Sequence, residues 1–370
     1  MNFDAYDKEV HSLLKELCAI PAPSHHEEKR AEYCKTYFDK LGFDKVYIDD
    51  AKNVVCEWNC EGSNQLTVFA AHTDTVFPDT EPMPYYEKDG KAYCPGVGDD
   101  TGSLAVMMVA AKHLKSLGKT PKNGILFVCN SCEEGLGNLK GTRELMKNYA
   151  GRIATFISFD SDIDVIHDSC VGSHRYEVEV LTEGGHSFGS FGNENAIANL
   201  AKIIARIYEI DVPKLEGTKT TYNVGIIEGG TSVNTIAQSA KMLCEYRSDN
   251  VDCLEYMKEH FEAIFKEAEN DQVKLNITLV GDRPCSKMKD PTAQVALSDA
   301  CKRISEKHIG RSVTSNSAST DCNVPLSLGI PAVAVGVWIG DGCHTREEWI
   351  EIESLKTGLK IAIELMESYL

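Results

Sequence analysis

At 370 residues, with 42% hydrophobic, 25% charged and 8% aromatic side chains, the chain exceeds one simple core and reads as a soluble globular protein of two domains. A formal charge of −18 excludes a nucleic-acid partner, because phosphate binding needs clustered Lys and Arg. No run of about 18 apolar residues exists to span a membrane, and MNFDAYDKEVHSLLKEL lacks the apolar centre of an export signal, so the 14 cysteines imply reduced thiols in a cytoplasm.

In chain order, apolar positions at helical spacing (Tyr6, Val10, Leu13, Leu14, Leu17) predict a helix over 4–18. After the PAP break, Ser24-His-His-Glu27 reads as a capping box opening a helix to about Leu41, with His25 and His26 as first-turn surface residues. Apolar runs QLTVFAA (65–71), GILFVC (124–129) and IATFISF (153–159) then alternate with helical segments at about 101–117 and 140–149. Strand–helix alternation predicts an α/β sheet of mainly parallel strands.

Near Gly172 the pattern changes. RYEVEVL (175–181) alternates with period 2, followed by a helix over about 194–208, the strands TTYNVGIIEG and AKMLCEYRS, a helix over 251–269 and VKLNITLVG (273–281). Past Pro284 the first pattern resumes, with helices at about 291–307 and 353–369 around PAVAVGVWI (331–339). The expectation is one α/β domain, residues 1–172 and 284–370, interrupted by a smaller α+β domain over 173–283.

Chemistry-bearing residues follow the apolar runs. LTVFAA ends in His72-Thr-Asp74, GVG leads to Asp99-Asp100, ILFVC to Glu133-Glu134, TFISF to Asp160, and VAVGVWI to GDGCHTREE with His344. Ligands bind beyond the carboxyl ends of strands in open α/β sheets, and imidazole with carboxylate is the usual ligand set of zinc and similar ions. Singly, each has a plainer reading: a loop histidine in a hydrogen bond, or Asp99 or Asp100 capping the following helix. Five such sites together would repel one another strongly without a cation. Cys129-Asn-Ser-Cys132 starts inside a strand, unlike redox pairs at helix starts, and Cys56 and Cys60 have no second pair for a zinc ribbon.

AHTDTV, GVGDD, NSCEEGLGN, ISFDSD and HTREEW resemble, in order and spacing, the dinuclear zinc peptidase family of peptidase T, carboxypeptidase G, aminoacylase and succinyl-diaminopimelate desuccinylase; GGHSFGSFGNENAI, IIEGGTSVN and CEYRSDN extend the resemblance into the inserted segment. The resemblance implies a zinc-peptidase-like catalytic domain with a lid and dimerisation insert, forming a homodimer. It implies two divalent ions per chain, Zn²⁺ or else Mn²⁺ or Co²⁺, with His72, Asp99 and Asp160 holding one, and Asp99, Glu134 and His344 the other. Asp74 would orient His72, and Glu133 would be the general base. His186 would reach the partner's active site to stabilise an oxyanion, while Arg247 and Asn234 would bind the substrate. Without the resemblance, Arg247 reads as a surface ion pair, Asn234 as a turn residue, and His186 as part of a Gly-rich connection.

Thr101 departs from the Lys or Arg that many relatives carry after the paired aspartates, yet CHTREEW and GLGN look nearest to the peptidase T-like branch. Short peptides are therefore the expected substrates, with N-acyl amino acids or carboxypeptidase action as the alternative. Two rivals differ in kind. Gly185-His-Ser187-Phe-Gly189 fits a serine-hydrolase elbow with Asp321 and His344 following, although no helix follows directly. A non-catalytic binding protein on the same fold is the other.

Overall fold

The apolar runs become strands buried on both faces. In the computed structural model, which describes residues 3–370, the chain divides into two compact units. One comprises the chain up to Cys170 together with Lys287–Leu370; the other is Val171–Ser286.

The first unit is built on an eight-stranded sheet, in the order Lys45–Ile48, Val54–Trp58, Ile125–Asn130, Leu66–His72, Ile153–Phe159, Ala332–Val335, Val165–Cys170 and Thr314–Ala318. Leu66–His72 runs parallel to both neighbours, as do Ile153–Phe159 with Ala332–Val335 and Val165–Cys170 with Thr314–Ala318. The remaining pairings are antiparallel. Alternate residues feed two cores: Phe69, Ala71, Phe127 and Cys129 face one layer, while Val68, Ala70, Leu126 and Val128 face the other. Burial on both sides explains continuous apolar strands. The helix Ser103–Ser116 is itself almost wholly buried against the first layer.

Several elements differ from the sequence expectation. Val165–Cys170 and Thr314–Ala318 read VIHDSC and TSNSA, the first interrupted and the second dominated by polar, partly exposed residues, as suits one border of the sheet, and hydropathy gives them no signal. The run 331–339 is strand only over Ala332–Val335, because at Gly336 the backbone crosses so close to Asp162 that an added Cβ would lie 1.7 Å from its carbonyl oxygen. The capping box does not form. The helix starts at Glu28, Glu27 makes no capping bond, and Ser24 Oγ instead donates to Asp74 Oδ2 at 2.6 Å.

The second unit has the antiparallel order Thr220–Gly229, Ser239–Ser248, Gly172–Leu181, Lys274–Arg283. Its period-2 pattern puts Tyr176, Val178, Val180, Met242, Cys244 and Tyr246 under the helices Ala196–Ile207 and Val251–Ala268. Asn195 and Asn250 cap those helices through their side-chain oxygens. A two-residue ribbon joins Gly185–His186 to Thr235–Ile236.

Arg30 ties the amino-terminal helices to the sheet. Its 2%-exposed guanidinium donates to Leu17 O at 3.0 Å, Ile20 O at 2.7 Å and Thr73 O at 2.8 Å. Arg30→Met leaves those carbonyls without this donor and should lower the unfolding free energy by about 3 kcal/mol in chemical denaturation. A loss below about 1 kcal/mol would show that solvent or neighbouring groups replace it.

Candidate metal centre

His72 is the last residue of Leu66–His72, in register with Asn130 at the end of Ile125–Asn130, and Asp160 follows Ile153–Phe159 directly. The three carboxyl ends lie side by side in one parallel set, the usual place for a ligand. Asp99 and Asp100 come from the turn Val97–Gly102 and are joined by a cis peptide. The helix after them starts at Ser103 without a side-chain cap, so the capping alternative for these aspartates does not hold.

Asp99 stands between the two histidines. Its Oδ1 is 3.0 Å from His72 Nε2, and its Oδ2 is 3.0 Å from His344 Nε2. Glu134 Oε1 approaches His344 Nε2 at 3.1 Å. The imidazole of His72 is 1% exposed, with Nδ1 3.0 Å from Asp74 O, and its backbone N–H donates to Asp100 Oδ2 at 2.9 Å. Among the described residues, donor atoms within 4.8 Å of one another form three groups: His72, Asp100 and Asp160; His72, Glu133 and Glu134; Asp99, Glu134 and His344.

Asp74 links the loop of the paired glutamates to the strand that carries His72. Its carboxylate accepts the backbone N–H groups of Glu133 and Glu134, both at 3.0 Å, as well as the Ser24 hydroxyl. Glu27, fully buried, accepts the backbone N–H of Cys132 at 3.1 Å. Asp321 is buried and accepts from Asn130 and Thr142. Ser24, Glu27 and Asp100 escape sequence reasoning: two read as a helix cap, and the third as a cap for the following helix.

The donor set fits divalent cations. Burial raises the carboxyls of Glu134 and Asp100, and burial with the neighbouring Asp99 charge pushes Asp160 up to about 7. Burial opposes a charge on Asp99 too, yet its bonds to His344 and His72 win and hold it well below the usual carboxylate range. His344, beside Asp99 and Glu134, is pushed up to about 10. Burial disfavours the His72 imidazolium, but Asp100, Asp74 and Asp99 outweigh it and raise the ring well above its ordinary value. Negative charge exceeds what two imidazoles balance. In the tautomer that gives Nδ1–H to Asp74 O, His72 would present Nε2 as a ligand atom beside Asp99 Oδ1, and the two would suit a shared cation.

The remaining expected site residues lie in the second unit. His186 and Asn234 share one tip: His186 pairs with Thr235, and Ser187 N donates to Asn234 O at 3.0 Å. His186 Nδ1 accepts from the backbone N–H groups of Phe188 and Gly189 at 3.3 and 3.2 Å. Arg247 clasps Glu245 of its own strand through Nε at 2.8 Å and Nη2 at 3.0 Å. The serine-hydrolase assignment fares poorly, because His344 faces Asp99 and Glu134 while Asp321 is engaged by Asn130 and Thr142.

A His–carboxylate cluster at the carboxyl edge of a mainly parallel sheet suits a metal centre, and similarity to metal-dependent hydrolases makes the chain one of that class. The family model of Peptidase family M20/M25/M40 matches residues 68–368, and the chain belongs to that family. Acetylornithine deacetylase of Myxococcus xanthus is 26% identical, covering 94% of this chain and 93% of its own. Among solved structures, aminopeptidase PepT from Bacillus cereus shares the fold with a TM-score of 0.75 at 24% identity, covering 98% of both chains. A tripeptidase from Staphylococcus aureus does so with a TM-score of 0.76 at 23% identity, covering 98% of this chain and 99% of its own.

Titration calorimetry of the dialysed protein with Zn²⁺ should find about two ions per chain. Asp99→Ala should weaken both, since each oxygen faces one histidine, whereas His344→Ala should weaken one. Wild-type affinity for either ion in Asp99→Ala would remove Asp99 from the bridging position.

Proposed function

We propose that the chain is a dinuclear zinc aminopeptidase acting on short peptides, in the manner of peptidase T. The observation that carries it is Asp99 shared between His72 and His344, beside the adjacent carboxylates Glu133 and Glu134. His72, Asp99 and Asp160 would hold one ion and Asp99, Glu134 and His344 the other, with Mn²⁺ or Co²⁺ able to replace Zn²⁺. Bound there, such ions polarise a scissile carbonyl and acidify the attacking water.

The side chains divide the remaining work. Glu133, 5% exposed, would accept the proton of the attacking water and return it to the leaving nitrogen. Its backbone N–H on Asp74 fixes where that carboxylate starts from. Asp74 would hold the His72 ring so that Nε2 faces the metal. His186 accepts two backbone N–H groups at Nδ1, which places its proton on Nε2, the donor an oxyanion needs. The Asn234 amide and the Arg247 guanidinium would bind the substrate backbone and carboxylate, Arg247 by exchanging Glu245 for the ligand.

In this reading residues 173–283 serve as a lid and dimerisation domain, the protein works as a cytoplasmic homodimer, and His186 serves the partner's site. A second reading keeps the centre and changes the substrate: similarity to acetylornithine deacetylase over nearly the whole chain supports an N-acyl amino acid. A panel of tripeptides, dipeptides and N-acyl amino acids separates the two. On the best substrate, Glu133→Gln should lower kcat roughly 10²–10⁴-fold with metal content unchanged. Retained turnover would take Glu133 out of the base role.

A further inference from the structure

The turn that delivers Asp99 is held by a carboxylate outside the ligand set. Glu348, 1% exposed, accepts Gly96 N–H on Oε2 at 2.6 Å, and Gly98 and Asp99 N–H on Oε1 at 2.8 and 3.0 Å. Three converging backbone amides make an anion-binding nest, which here is filled by a side chain of the same chain. Gly96 is required there, and Gly98 is tightly enclosed. Gly96 has φ +76°, where a Cβ would meet Thr75 Cγ2 at 2.5 Å, and a Cβ on Gly98 would come to 3.2 Å from Glu348 Oε1 and 3.1 Å from both Trp338 and Ile350.

Glu348 also belongs to the segment that carries His344. Cys94 N donates to Glu348 O at 3.2 Å, and Trp349, Ile350 and Glu351 pair with Tyr93, Ala92 and Lys91. The strand leading into Asp99 and the strand leaving His344 are thus zipped together, and the Glu348 carboxylate closes the zip at the ligand end. A Glu side chain offers two oxygens to the three amides, whereas an amide side chain has one acceptor oxygen and would satisfy them only in part.

We propose that Glu348 is the positioning residue of the metal centre: seated on the amides of Gly96, Gly98 and Asp99, it sets the separation of Asp99 from His344 and so the affinity for the ion they share. This rests on the dinuclear reading above. Its test is a Zn²⁺ competition titration against a chromophoric chelator, on wild type and E348Q, with thermal unfolding of both metal-free proteins. E348Q should unfold within a few degrees of wild type while its apparent affinity for the ion that His344→Ala also weakens falls about ten- to a hundredfold. Unchanged affinity overturns the proposal, whether or not the unfolding midpoint moves, since Glu348 would then only fill space. If E348Q does not fold, E348D, which keeps the charge but is too short to span all three amides, decides by the same criterion. Wild type that binds no metal would instead sink the underlying reading.

Discussion

Carboxylates are unfavourable to bury unless donors or cations meet them, and this chain buries Asp74, Asp100, Glu133, Glu134 and Asp321 near the carboxyl edge of one sheet. Protein donors meet some of the charge: Asp74 takes two backbone N–H groups and a hydroxyl, Asp100 a backbone N–H, and Asp321 an amide and a hydroxyl. Asp99, Glu134 and Asp160 converge on histidines instead. The arrangement is balanced when cations join those groups, and the sheet, the turn before Ser103 and the loop of paired glutamates all serve to bring them together.

Support for the centre comes from distant parts of the first unit. Arg30 fastens the segment after His72 to the amino-terminal helices, and the loop from Ser24 to Glu27 grips both Asp74 and Cys132. Of the residues meant to meet ions, His72 and Asp160 sit at strand ends, whereas Asp99, Glu134 and His344 sit on turns and loops that groups tens of residues away help to hold.

Much of this was legible in the sequence, for identifiable reasons. Apolar runs such as ILFVC mark strands buried on both faces, period 2 in RYEVEVL marks a half-covered sheet, and ligand-type residues directly after apolar runs mark a carboxyl-edge site. TSNSA gave no hydropathy signal because it is mostly polar, and VIHDSC gave none because His, Asp and Ser break its apolar run. Ser24 and Glu27 matched a local capping pattern, and their true partners lie 50 and 105 positions away, beyond any local rule. Asp100 looked like a helix cap because its partner, the backbone N–H of His72, lies 28 positions away.

The most direct test of a shared Asp99 is a crystal structure of the Mn²⁺- or Zn²⁺-loaded protein with an anomalous difference map. The account predicts two peaks about 3.5–4 Å apart, one on each side of the Asp99 carboxylate, toward His72 and toward His344. A single peak, or two that both avoid Asp99, would contradict it.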